Sequence, residues 1–376
     1  MRVPFLDLHA MHAELAPEID AAWRSVSESG RFVGGPAVEA FEAEWAAYCD
    51  TRHCVGVSDG TAAIELTLAA LGIGRGAEVI IPANTFIATA AAVAAVGATP
   101  VFADVDPATL LLTAESIQPH LTPRTAAVMV VHLYGQPADM DAINALASRA
   151  GICVIEDAAQ AHGATWQGRP AGGLSRAGCF SFYPGKNLGA FGDAGAIVTN
   201  DAALAERIRA MSNHGRCHDN PYRHDMLGGN HRLDALQAAV LSVKLRRLDA
   251  WNAARRHAAS LYKASLADLP ATIVATAQAA SSSHHLAVVR APNRDALREA
   301  LAAAGIGTGI HYPIPCHLQV PFLSSSRHTL PVTEQAAGEI LSLPMYPHIT
   351  EAEIRHVAGT IAEFLATQRA CLAGVY

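Results

Sequence analysis

The sequence predicts an α/β fold: a mainly parallel sheet covered by helices in a large domain, then a smaller C-terminal α+β domain. Three observations carry this. Between about residues 55 and 200, short apolar runs alternate with helical stretches. The runs are continuously apolar, as in strands buried on both faces. After Asn200 the strands give way to a long helical pattern. At 376 residues the chain also exceeds what one small core needs. The expected division is 1–245 for the large domain, with an N-terminal arm, and 246–376 for the small one.

Taken in order, the expected strands are HCVGV (53–57), EVIIP (78–82), TPVFADV (99–105), AAVMVVHLYG (126–135), ICVIED (152–157), GCFSFY (178–183) and AGAIVTN (194–200). TAAIELTLAALG (61–72) and MDAINALASRAG (140–151) read as helices that end at a capping glycine. FIATAAAVAAVGATPVFA (86–103) is long enough to resemble a membrane span, but alanine dominates it and Gly97 and Pro100 interrupt it. It is expected to be a buried helix followed by a buried strand. Leu233, Leu236, Val240, Val243 and Trp251 keep helical spacing within one long helix expected from about Leu233 to Leu266. Beyond it, HLAVVRAP (285–292) reads as a strand and RDALREALAAAG (294–305) as a helix, while ATAQAASSSHH (275–285) is expected to be a solvated loop.

Composition narrows the function. Apolar residues make up 51% and charged residues 16%, the balance of a globular chain. The formal charge is −7 and there is no long basic block, which disfavours nucleic-acid binding. Seven cysteines are scattered without a C-x-x-C pair, as expected of reduced thiols in a cytoplasmic protein. The 18 histidines lack metal-ligand spacing, so no metal site is expected. No signal peptide or membrane anchor is expected either.

Open parallel sheets bind ligands beyond the carboxyl ends of their strands, and three polar features fall at such ends. In GVSDGTAAIELTLAAL (56–71) a strand breaks at Ser58-Asp59-Gly60 and a helix begins. Free N–H groups at a helix start bind phosphate, although Ser58 or Asp59 serving as an ordinary helix cap also explains the stretch. In CVIEDAAQAHGA (153–164), Glu156 and Asp157 are neighbours on a strand, so they point to opposite faces and do different jobs. In SFYPGKNLGAFGDAG (181–195), Lys186 stands alone among small, apolar and turn-forming residues. Asn187 follows it, which excludes a phosphate-binding P-loop. Desolvation lowers the pKa of such a lysine, and a neutral amine forms an imine with an aldehyde. Pyridoxal phosphate (PLP) combines an aldehyde, a phosphate and a pyridine nitrogen that wants a carboxylate. The three strand ends match those three handles.

These residues resemble the DegT/DnrJ/EryC1/StrS sugar aminotransferases, PLP enzymes of the aspartate-aminotransferase fold (fold type I). The resemblance begins at VPFLDL (3–8) and GRFVGGPAVEAFEAEWAAY (30–48). It continues through GVSDGTAAIELTL, IPANTFIATAAAV, FADVDPATL, VHLYGQPADM, IEDAAQAHGA, FSFYPGKNLGAFGDAGAIVTND, GGNHRLDALQAA and GIHYPIPCHLQ. It implies that Lys186 holds PLP as an imine, that Asp157 pairs with the pyridinium nitrogen, that Gln160 lies near the ring oxygen and that Phe86 stacks on the ring. Gly60, Thr61 and Ser181 would hold the phosphate, with Asn230 reaching in from a second subunit, so a homodimer with shared active sites is implied. His311 and Tyr312 fall in the family's substrate segment. Arg216, within NHGRCHDNPYRHDMLGGNHR (213–232), is a further substrate-binding candidate under the resemblance, although that segment taken alone reads as a solvated loop. Asp59 departs from the Asn that many relatives carry, and its side chain is expected to turn away from the phosphate cup. The resemblance implies L-glutamate as amino donor and a nucleotide-linked keto-sugar as acceptor. KNLGAFGDAG resembles the branch acting at C3 of 6-deoxyhexoses more than the C4 branch, and deoxythymidine diphosphate is the family's common carrier, so the resemblance implies a dTDP-3-keto-6-deoxyhexose, with a 4-keto-sugar or a cyclitol ketone as alternatives. A PLP-fold regulator without turnover is the non-enzyme alternative.

Overall fold

The computed structural model describes all residues except 218, 221, 324–328 and 374–376, with backbone only at 369–373. The strands are β1 His53–Val57, β2 Glu78–Pro82, β3 Thr99–Ala103, β4 Thr125–Val131, β5 Cys153–Asp157, β6 Thr165–Trp166, β7 Arg169–Pro170, β8 Ala177–Ser181, β9 Gly195–Thr199, β10 Thr272–Ile273, β11 Ala280–Ser281, β12 Ala287–Arg290 and β13 Ile340–Leu343. The helices are α1 Leu8–Ser29, α2 Pro36–Tyr48, α3 Gly60–Ala70, α4 Ile87–Ala95, α5 Ala114–Ile117, α6 Met140–Ala150, α7 Ala202–Ser212, α8 Ala235–Leu245, α9 Leu248–Ser265, α10 Arg294–Ala303, α11 Pro331–Glu339 and α12 Glu351–Ala373.

Seven strands form the central sheet in the order β1-β9-β8-β5-β4-β2-β3. Only β9 runs against its neighbours, pairing antiparallel with both β1 and β8. The sheet is therefore mainly parallel, and its strands are buried on both faces, as their apolar runs require. On one face Leu66 and Leu68 of α3 and Val93 of α4 pack against Val79, Ile81 and Met129. On the other, Ile143 and Leu146 of α6 pack against Ile80, Val128 and Val130. The alanine-rich 86–103 stretch divides into α4 and β3, and no described helix is long and apolar enough to cross a membrane. Gly72 and Gly151 both take the left-handed conformation, with φ of 74° and 68°, just past α3 and α6.

The C-terminal part builds a second sheet, β10-β12-β13. Tyr262 of α9, Leu297 and Leu301 of α10 and Val357 and Ile361 of α12 pack on it. Two expectations are corrected here. The helix expected over 233–266 is two helices, α8 and α9, broken at Arg246-Arg247. Both helices keep the apolar spacing, so the pattern hides the break. The 275–285 stretch is solvated only in its first half. Ser282 and Ser283 are buried, and the chain there hydrogen-bonds back to the large sheet's connections, with the Ser283 N–H donating to Gly135 O at 2.9 Å.

Candidate active site

The carboxyl ends of β1, β5 and β8 meet at one pocket of about 470 Å³. At the end of β1, Asp59 caps α3: its Oδ1 accepts the Ala62 N–H at 2.8 Å and its Oδ2 accepts the Ser58 hydroxyl at 2.8 Å. Both carboxylate oxygens are thus engaged at its own helix start. The backbone N–H groups of Gly60 and Thr61 have no partner among the described residues, so the stretch is at once an ordinary cap and an anion cup. A Cβ on Gly60 would lie 2.6 Å from Ser181 Cβ. Only a glycine lets the ends of β1 and β8 close together in this way.

At the end of β5 the two acids part, as their alternation requires. Glu156 faces away from the pocket and accepts from the N–H groups of Gly172 (2.6 Å) and Leu174 (2.8 Å) and from the Ser175 hydroxyl (3.0 Å), with His132 Nε2 at 2.9 Å. That is a structural job. Asp157 lines the pocket. Its Oδ2 accepts the Thr89 hydroxyl at 2.8 Å and its Oδ1 the Ala159 N–H at 3.2 Å. Burial raises its pKa, while these two hydrogen bonds and the charge of Lys186 oppose the rise.

Beyond β8 the chain turns at Pro184-Gly185, and the Lys186 N–H donates to Tyr183 O at 2.8 Å. The Lys186 side chain lines the same pocket. Burial lowers its pKa from 10.5 to about 8, with Asp157 pulling the other way. A fair fraction of the amine is therefore neutral near physiological pH, which answers the chemistry expected of a lone lysine there.

The remaining walls come from farther along the chain. Gln160 Oε1 accepts the Tyr134 N–H at 2.7 Å, and its Nε2 donates to the Tyr312 hydroxyl at 3.3 Å. The rings of Phe86 and Tyr312 lie 5.5 Å apart at 38°. Phe86 is 52% exposed, so it is a pocket wall and not core. His311 lines the pocket beside Tyr312. Its carbonyl accepts the Tyr134 hydroxyl at 2.7 Å and its Nδ1 lies 2.8 Å from Ser342 Oγ. Burial, then the charge of Lys186, lowers its pKa to about 4.

One chain thus brings together Lys186, Asp157, Gly60, Thr61, Phe86, Gln160, Ser181, His311 and Tyr312. It does not bring Arg216 or Asn230 to its own pocket. Both are exposed on the 213–232 segment, where Asn230 bridges Asn213 and Arg216 bridges His224; His218 and Pro221 of that segment lie outside the described residues. Sequence reasoning missed Thr89 and His285. Thr89 sits on α4 one turn past Phe86, a helical spacing that could have revealed it. His285 lay in the stretch expected to be solvated, and no local signal marks it. Among the described residues no cluster of side chains is suited to hold a metal ion.

Comparison with known proteins places this geometry. Residues 13–362 match the model of the DegT/DnrJ/EryC1/StrS aminotransferase family. The chain is 51% identical over 364 residues to the "erythromycin biosynthesis sensory transduction protein EryC1" of Saccharopolyspora erythraea, covering 96% of this chain and 99% of that protein. It is 48% identical over 366 residues to the dTDP-3-amino-3,4,6-trideoxy-alpha-D-glucose transaminase of Streptomyces venezuelae, covering 96% of each. Among solved structures, S. venezuelae DesV in complex with a ketimine intermediate superposes with a TM-score of 0.94 at 47% identity, over 97% of this chain and 98% of that one. Fold and relatives define a PLP-dependent aminotransferase. The chain belongs to the DegT/DnrJ/EryC1/StrS aminotransferase family.

The pocket fits the cofactor on its own terms. It offers two unpartnered N–H groups where Gly60 and Ser181 close together, a buried carboxylate, and a lysine of lowered pKa.

Proposed function

We propose that this enzyme transfers the amino group of L-glutamate to a nucleotide-linked keto-sugar, namely a dTDP-3-keto-6-deoxyhexose, giving a 3-amino-sugar. The observation that carries the proposal is the meeting of Lys186 and Asp157 at one pocket, each shifting the other's protonation. The name of the S. venezuelae relative, a 3-amino-sugar transaminase, supports the carbon and the carrier.

Bound in this pocket, PLP supplies an aldehyde for the lysine amine and a ring that accepts electrons as a Cα–H bond breaks. The chain's own residues do the rest. Asp157 is the carboxylate that would pair with the ring nitrogen and keep it protonated, and the Thr89 hydroxyl holds its Oδ2 in place. With the cofactor bound, Lys186 Nζ, neutral in part near pH 7, would take the proton from the amino-acid Cα and deliver it to the cofactor's aldehyde-derived carbon within the same half-reaction, and would move a proton the opposite way in the second. Gly60, Thr61 and Ser181 hold the phosphate, Phe86 covers the ring, and Gln160 lies near the ring oxygen. His311 and Tyr312 face the sugar. Asn230 and Arg216, exposed on one chain, act on the pocket of a second copy, Asn230 at the phosphate and Arg216 at the sugar diphosphate. The working form is then a cytoplasmic homodimer with shared sites and with subunits divided at about residue 245.

The test is incubation of purified protein with L-glutamate and a panel of 3- and 4-keto nucleotide sugars, read by mass spectrometry and NMR. A 3-amino-6-deoxyhexose product with equimolar 2-oxoglutarate is expected. Product from 4-keto sugars alone would overturn the choice of carbon, and no product from any sugar with glutamate would overturn the reading as a whole.

A further inference from the structure

Tyr134, just past β4, holds a backbone conformation that few bulky residues adopt, with φ 63° and ψ 4°. Such a conformation persists only where its surroundings fix it. Here two hydrogen bonds do so. The Tyr134 N–H donates to Gln160 Oε1 at 2.7 Å, and the Tyr134 hydroxyl donates to His311 O at 2.7 Å. The residue itself is buried, while Gln160, His311 and Tyr312 all line the pocket.

The first bond orients Gln160. A backbone N–H can only donate, so the Gln160 atom facing it is the amide oxygen. Nε2 is then the atom turned to the Tyr312 hydroxyl, at 3.3 Å. The second bond holds the chain that carries Tyr312. That stretch is anchored at Gly309, whose N–H donates to Ser342 O at 3.1 Å and whose carbonyl accepts the Ser342 N–H at 2.7 Å. It is anchored again at Cys316, whose N–H donates to Ala83 O at 3.0 Å. Between these anchors, the bond from Tyr134 is the only hydrogen bond to the main chain of His311 and Tyr312 among the described residues. The side chains add two contacts: His311 Nδ1 lies 2.8 Å from Ser342 Oγ, and Tyr312 accepts from Gln160. The second of these leads back to Tyr134. One residue thus ties the connections after β4 and β5 to a segment that follows α10.

We propose that Tyr134 is a positioning residue for the acceptor substrate, its hydroxyl holding the His311–Tyr312 segment at the pocket while its N–H orients Gln160. This role rests on the reading that His311 and Tyr312 face the sugar. Tyr134→Phe keeps the ring and removes only the donor to His311 O.

Two measurements on this variant test the role. The first is hydrogen exchange of the cofactor-free full chain, read on peptides by mass spectrometry. The 309–316 stretch should exchange about tenfold faster than in wild type, with β4 and β5 unchanged, because a buried carbonyl loses its donor. Unchanged exchange at 309–316 would overturn the role. Equal acceleration in β4 and β5 would also overturn it, since that marks a residue that only packs. The second is kinetics of the cofactor-loaded enzyme with L-glutamate and dTDP-3-keto-6-deoxyglucose. The KM for the sugar should rise about tenfold, while kcat and the glutamate half-reaction, followed by cofactor absorbance, stay within about twofold of wild type. An unchanged KM for the sugar, or a glutamate half-reaction impaired to the same degree, would overturn the role. A wild type that aminates no keto-sugar would overturn the function proposed above and not the tie, which the exchange rates decide.

Discussion

Replacing Lys186 by methionine should make the cofactor-free protein more stable at neutral pH, although it removes the reactive amine. Methionine matches the length of the lysine stem and carries no charge to desolvate. In the folded chain burial lowers the Lys186 pKa from 10.5 to about 8, and a difference of that size is worth about 3 kcal/mol at 25 °C. Between pH 8 and 10.5 the unfolded chain holds more of this proton than the folded one, so stability rises with pH across that window. Well below pH 8 the amine is charged in both states and the full cost applies, and at pH 7 it is mostly charged, so nearly all of the cost is present; above 10.5 it is neutral in both and the cost vanishes. Lys186→Met should therefore stabilise by up to about 3 kcal/mol at pH 7, and the advantage should fade to nothing near pH 11. The figure is an upper value, because Asp157 loses the cation that opposes its own rise in pKa. Urea unfolding of cofactor-free wild type and variant at pH 7, 9 and 11, followed by circular dichroism, measures the difference. A variant no more stable than wild type at pH 7, or a gain undiminished at pH 11, would refute the reasoning that the amine is held at a desolvation cost.

Gly60→Ala places a Cβ 2.6 Å from Ser181 Cβ, so PLP affinity should fall by about tenfold or more, measured by absorbance titration of the cofactor-free protein. Thr89→Val removes the donor to Asp157 Oδ2; the expected loss is about 1–2 kcal/mol of transition-state stabilisation, seen as a roughly tenfold lower kcat with the protein's melting temperature little changed. Glu156→Gln sets an amide N–H against donors that now point at a carboxylate oxygen. It should destabilise the fold by about 1–3 kcal/mol in urea titration and leave kcat close to wild type, in contrast to Asp157→Asn, whose turnover should drop by about a hundredfold or more.

The large sheet was legible because its strands are continuous apolar runs broken by helices. EVIIP is β2 without adjustment, and ICVIED differs from β5 by one residue. Strand direction was not legible: AGAIVTN looks like its neighbours, yet β9 is antiparallel to both of them. Direction is set by how the connections cross, and local pattern carries no trace of it. The break at Arg246-Arg247 was hidden because both helices bury the same kind of face. The strand expected to reach Tyr183 stops at Ser181, where the chain leaves the ladder for the lysine loop. At the site, Asp157 and Lys186 could be picked out because a charge at the end of an apolar strand is costly unless it has work to do. His285 could not. It follows a run of serines that reads as solvent-exposed, and only the hydrogen bond to Asn187, 98 residues away in sequence, draws it inward. Polar segments that are buried by satisfying each other's hydrogen bonds look the same in a sequence as segments bathed in water.

The most direct test of the central claim is reduction of the purified, cofactor-loaded protein with borohydride, followed by peptide mass spectrometry. The expected result is loss of the yellow colour and a phosphopyridoxyl mass on the single peptide that contains Lys186, absent from Lys186→Ala. A colourless protein that takes up no added PLP, or an adduct fixed at any other lysine, would contradict it.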